Sequence, residues 1–155
     1  MRKEQKVDTR EKRSDAKAAS ITNRATASAP TAAEYVTLVE ILELTAPYEE
    51  FEAAASAAVR RLEVEGIREL VSIRFCGGPE STEIGAILTF SDRERMIRHM
   101  NMVSSWGEFK RFFGIVKPLD VRVYGRLSGD AETWIGQFGD IVSRKFEDHT
   151  GGFVR

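Results

Sequence analysis

Cysteine is almost absent: Cys76 stands alone in 155 residues. No internal disulfide can form, and no Cys/His cluster has the spacing of a zinc site, so no metal is implied. A chain of this kind suits a reducing compartment such as the cytoplasm. Long apolar runs are missing as well. None approaches the roughly 20 residues that span a bilayer, so no membrane association is expected. The N-terminus lacks the apolar stretch of a secretory signal. Charge of one sign is also lacking, since 23 Lys/Arg face 24 Asp/Glu for a net charge of -1. A strongly basic nucleic-acid-binding domain is not expected.

The balance is uneven along the chain. Residues 1–33 hold eight Lys/Arg against four Asp/Glu, then turn rich in Ala, Ser and Thr. They offer too little apolar surface to offset the entropy of ordering. The expectation is a disordered basic tail over 1–33 and one folded domain over 34–155. A weak nucleic-acid or partner contact is the functional alternative for the tail. Glu4, Asp8, Glu11 and Asp15 argue against a transit peptide.

What is present is ordinary for a soluble globular domain: 42% hydrophobic and 30% charged residues. "YVTLVEILEL" (35–44) reads as a largely buried strand. "TAPYEEFEAAASAAVRRLEVEGI" follows as a helix, with Thr45 as cap, Pro47 in the first turn and Glu49 and Glu50 at the positive end of the dipole. Tyr48, Phe51, Ala55, Ala58 and Leu62 recur at helical spacing, and Gly66 is placed to stop the helix. "RELVSIRFC" and "EIGAILTF" alternate and are joined by the turn-forming "GGPEST", so they predict a hairpin. Val71, Ile73 and Phe75 share one face with Ile84, Ala86, Leu88 and Phe90.

"HMNMVSSWGEFKRFF" then breaks into two short helices. Ser91 with Glu94 and Ser105 with Glu108 have capping-box spacing. Met96, Met100 and Val103 form one stripe, and Phe109, Phe112, Phe113 and Val116 form another. Lys117-Pro118 closes the second helix. "LDVRVYGRLS" is a fourth strand, and a weaker helix lies within "SGDAETWIGQFGDIVSRKF". "HTGGFVR" reads as a short closing strand or a loose end.

The order β-α-β-β-α-β is the split βαβ of ferredoxin-like folds. It predicts an α+β domain with a four-stranded antiparallel sheet and helices on one face. The other face carries Ser72, Arg74, Gly85, Ile87, Thr89, Arg122, Tyr124 and Arg126. The first strand adds either Leu38, Glu40 and Leu42 or Tyr35, Thr37, Val39 and Ile41; its alternation does not choose between them. Apolar groups on an uncovered face imply an interface, most simply a homodimer with sheet against sheet.

Over about residues 35–127 the chain resembles the dimeric α+β barrel superfamily, and within it the antibiotic biosynthesis monooxygenase-like proteins. The specific part is "LTFSDRERMIRHMNMVSSWGEFKRFFGIVKPLDVRVYG". Phe90, Ser91, His99, Ser105, Phe109 and Pro118 fit that group's layout. The resemblance implies a small-molecule enzyme that oxygenates a phenol- or quinol-type aromatic without a cofactor. The haem-degrading members put His in the second helix, Trp at the end of the third strand and Asn on the first. Here Phe112 and Phe90 occupy the first two places, and the first strand has no Asn. A non-catalytic dimeric ligand-binding or assembly module is the alternative. RNA binding would need stacking aromatics where Gly85 and Ile87 stand.

His99 is the candidate catalytic base, because imidazole titrates near neutrality. A hydrogen-bonded histidine at the edge of the Met96 stripe is the structural alternative. Arg74 and Arg122, with Tyr124, are candidates to hold a small aromatic or anionic ligand. Cross-strand pairing of these arginines with Glu40, Glu43 or Glu83 is the alternative. Trp106 either lines a pocket or staples a helix start. Asn101 points away from the stripe, and Cys76 has no histidine near it in sequence.

Overall fold

The computed structural model describes residues 31, 34–65, 68 and 70–152. The tail expected over 1–33 lies outside the described residues apart from Thr31, and so does the helix stop expected at Gly66. The elements are β1 (Val36–Leu44), α1 (Tyr48–Val64), β2 (Leu70–Cys76), β3 (Glu83–Phe90), α2 (Arg93–Val103), α3 (Gly107–Gly114), β4 (Val116–Tyr124), α4 (Gly129–Gly136) and β5 (Val142–Phe146).

The sheet has five strands in the order β2-β3-β1-β4-β5, one more than the sequence predicts. The first four pair antiparallel, and β5 joins β4 in parallel. The sheet is therefore mixed. The extra strand comes from "VSRKF", which a helical reading of that segment obscures. Gly125 makes the exit from β4 feasible. Its φ is 104°, and a Cβ there would press on the Tyr35 carbonyl oxygen.

Register resolves the parity of β1. Val36, Leu38 and Leu42 are buried beneath the helices, together with Ile84, Ala86, Leu88, Phe90, Val121 and Val123. Tyr35, Thr37, Val39 and Ile41 therefore share the opposite face with Ile87 and Thr89. Thr37 and Thr89 hydrogen-bond across that face at 3.2 Å. Val71 departs from the alternation, because the β2–β3 register shifts between Leu70 and Ser72 and leaves it 49% exposed.

The helix starts differ from those predicted. Pro47, not Thr45, occupies the N-cap position of α1. Asp92, not Ser91, caps α2 by accepting from the Arg95 amide at 2.8 Å. Trp106 precedes α3, while Ser105 Oγ donates back to the Met102 carbonyl at 2.8 Å. In each pair the cap lies one or two residues later, because the chain leaves extended geometry only after the preceding turn closes. α3 ends at Gly114, and Lys117 and Pro118 lie within β4. The β1–β4 register shifts between Ile41 and Leu42, opposite Asp120 and Pro118. Proline has no amide to donate, and a bulge is a site that tolerates it.

The core is aromatic where α1 and α3 meet the sheet. Phe51 meets Phe75 edge-on at 5.7 Å, and Phe112 lies 5.4 Å from Phe75. Outside, Arg61 joins the two helices. It donates to Glu108 at 2.6 Å and stacks 4.2 Å from the Trp106 ring.

Candidate functional site

β1 is the central strand, and Glu40 sits at its middle, facing the helices between the buried Leu38 and Leu42. Its cross-strand neighbours are Ala86 on β3 and Val121 on β4. Alanine is short, so the sheet floor dips beside the carboxyl and the helices above do not fill the space. A pocket results, open in part to solvent.

The floor is Glu40, Ala86, Leu88 and Val121, with Ile73 and Phe75 from β2. The roof is His99 and Met100 of α2 and Phe109, Phe112 and Phe113 of α3. Trp134 of α4 and Phe138 close one side, and their rings meet edge-on at 4.9 Å. Phe113 is 48% exposed and marks the mouth. Among the described residues that line this pocket, Glu40 and His99 are the ionisable ones. The rest of the wall is apolar and largely aromatic, which suits a flat hydrophobic ligand.

Glu40 is half-buried and lines the pocket between floor and roof. Burial pushes its pKa up from the usual 4.5 to about 7. A carboxyl in this state exchanges a proton near neutral pH.

His99 is fully buried, not at the edge of its stripe. Met96, His99, Met100 and Val103 fall at i, i+3, i+4 and i+7, so His99 belongs to the inward face of α2. α4 packs against the flank of α2 and helps to enclose it. The imidazole lies 5.4 Å from the Phe90 ring and 6.4 Å, edge-on, from Phe109. It therefore reaches the pocket from the roof, while Glu40 reaches it from the floor.

The other predicted residues do not join His99. Arg74, Arg122 and Tyr124 lie on the far face of the sheet, which separates them from the pocket. Arg122 pairs with Asp120 at 2.9 Å and Arg126 with Asp148 at 2.8 Å, rather than with Glu40, Glu43 or Glu83. Tyr124 stacks on Phe146 of β5 at 4.8 Å. Trp106 is buried against Phe109 and Arg61 and backs the pocket wall without lining it. Cys76 is exposed at the end of β2.

Glu40, Trp134 and Phe138 were missed by the sequence reading. Glu40 carried a signal: it is a lone acid in phase with Val36, Leu38 and Leu42. Among the described residues no three His, Cys, Asp or Glu side chains group as a metal site would require. No helix among them is long and apolar enough to cross a membrane.

No family model matches the chain, and no curated protein does. Solved structures do. MupZ from Pseudomonas fluorescens superposes with a TM-score of 0.54 at 13% identity, over 79% of this chain and 95% of MupZ. SnoaB, a cofactor-independent oxygenase from Streptomyces nogalater, superposes with a TM-score of 0.52 at 11% identity, over 62% of this chain and 96% of SnoaB. At these identities the likeness is one of fold. The chain has the α+β fold of these proteins, here built on a five-stranded mixed sheet.

Proposed function

We propose that the pocket binds a phenol- or quinol-type aromatic and that the protein oxygenates it without a cofactor. The observation that carries this reading is an aromatic-walled pocket with an imidazole on its roof as the candidate base. The ligand ring lies between the sheet and α2–α4. His99 takes the hydroxyl proton, and the imidazolium so formed balances the new aryloxide. Apolar walls leave that anion poorly solvated and electron-rich. It gives an electron to O2, and the two fragments join at a ring carbon as a peroxide. The peroxide takes up a proton and loses water, so that a ring C–H and a phenol become a quinone with one O2 consumed and one water released. SnoaB, of like fold, is a cofactor-independent oxygenase, which supports the reaction class.

We further propose a homodimer through the sheet face that the helices leave open. Val39, Ile41 and Ile87 form its centre, with the stacked Tyr124 and Phe146 at one side. Arg74 and Arg122 belong to this surface rather than to the pocket. The opposite face of the same sheet keeps Glu40 and His99 within one subunit.

Oxygen uptake with 1,4-naphthohydroquinone tests the chemistry. Wild type should exceed the uncatalysed background, and His99→Ala should lose on the order of 100-fold or more of that excess, as expected for removal of a general base. An unchanged rate in His99→Ala would remove His99 from the reaction. Binding without any uptake would point instead to a ligand-binding module.

A further inference from the structure

The reaction just described leaves one pocket group unused. Glu40 stands at the centre of the floor, where a strand would ordinarily place valine or isoleucine. Its neighbours on the floor are apolar: Leu38 and Leu42 on its own strand, Ala86 on β3 and Val121 on β4. From above, α2 contributes His99, and the lining residues of α3 and α4 are aromatic. A carboxyl in such surroundings costs folding energy unless something binds it. Burial alone lifts its pKa to about 7, so near neutrality much of it is a neutral acid that both donates and accepts.

We infer that Glu40 is the ligand-reading group of the pocket: its carboxyl hydrogen-bonds a hydroxyl or carbonyl oxygen of an uncharged aromatic, and it selects against aromatics that carry a carboxylate. This rests on the pocket being the ligand site, but not on oxygenation. The ligand is held from two sides. One oxygen meets Glu40 on the sheet, and a ring with a second oxygen offers it to His99 on α2. An anionic ligand is disfavoured because its charge would lose water between apolar walls and would stand beside a like charge wherever Glu40 is ionised. Among the described lining residues, only His99 could answer that charge with a positive one, and it stands on the opposite wall. Arg74 and Arg122 cannot reach the ligand through the sheet.

Anaerobic calorimetry with 2-naphthol and 2-naphthoate separates the outcomes, using the full chain at about pH 6, 7 and 8.5. Wild type should bind 2-naphthol about 10-fold or more tighter than 2-naphthoate at neutral pH, roughly what one well-placed hydrogen bond and one avoided like charge supply. Its affinity for 2-naphthoate should fall as the pH rises, because Glu40 ionises and sets a like charge beside the ligand. Glu40→Gln keeps a donor and an acceptor but cannot ionise. It should bind 2-naphthoate with no such fall and should narrow the preference to a few-fold. Glu40→Leu should bind 2-naphthol no better than naphthalene. Equal binding of both probes by wild type, or a Glu40→Gln variant with unchanged preference and pH dependence, overturns the inference. No oxygen is consumed in this experiment. Selective binding without oxygen uptake therefore leaves the inference standing while the oxygenase reading falls. Failure of both probes to bind wild type rejects the pocket as the ligand site, and the inference with it.

Discussion

Glu40 carries a cost that can be read in the folding equilibrium. Below about pH 4.5 its carboxyl is protonated in both the folded and the unfolded chain. Between 4.5 and about 7 the unfolded chain releases the proton while the folded chain keeps it, so stability falls as pH rises. Above about 7 both states are ionised and the loss is complete. Its ceiling is on the order of 3 kcal/mol from the size of the shift, reduced by the water that reaches the pocket. Thermal melts from pH 4.5 to 8.5 should show this slope in wild type, and Glu40→Gln should lack it. Parallel melting curves for the two proteins across the range would mean the carboxyl is solvated like an ordinary surface acid. His99 was legible in the sequence as a histidine at the edge of a helical stripe, and the structure places it inside that stripe. Glu40 was legible only as a lone acid in phase with Leu38 and Leu42; that it faces inward was not, because both faces of β1 are largely apolar.

At the scale of the element, capping residues were legible as a type but not as a position. "SDRE" and "SWGE" both have capping-box spacing, yet only Asp92 caps with its side chain, through the Arg95 amide. Asp92→Ala should cost about 1 kcal/mol of stability by urea denaturation. Ser105→Ala should change it by less than about 0.5 kcal/mol, since its hydroxyl only back-bonds to Met102. Equal effects of the two substitutions would contradict these assignments. The break between α2 and α3 was readable from Ser and Gly composition. That of α4 from β5 was not, because "GDIVSRKF" lacks a clear period of either kind.

For the whole molecule, the two faces of the sheet separate two roles. The face under the helices holds the pocket, and the open face holds the apolar row through which we propose self-association. Val39 and Ile87 are cross-strand partners at its centre. Ile87→Glu should place a charge on that row without touching the pocket side. Light scattering should report a dimer for wild type at micromolar concentration and a monomer for the variant, with 2-naphthol binding retained in both. A monomeric wild type would leave the open face without the proposed partner. A variant that loses ligand binding as it dissociates would show that the pocket depends on the second copy.

The amino-acid sequence alone determined the α+β class, the hairpin, the two-helix break and the inward stripes, because periodicities of 2 and 3.6 residues are written locally. It could not determine which face of β1 the helices would cover, that α4 would seal the flank of α2, or that a fifth strand would add in parallel at the edge. Those depend on contacts between residues far apart in the chain. A period tells which side chains share a face, and only the packing of other elements decides which face is inside. That decision put Glu40 into the pocket with His99 and left Arg74, Arg122 and Tyr124 on the other side of the sheet.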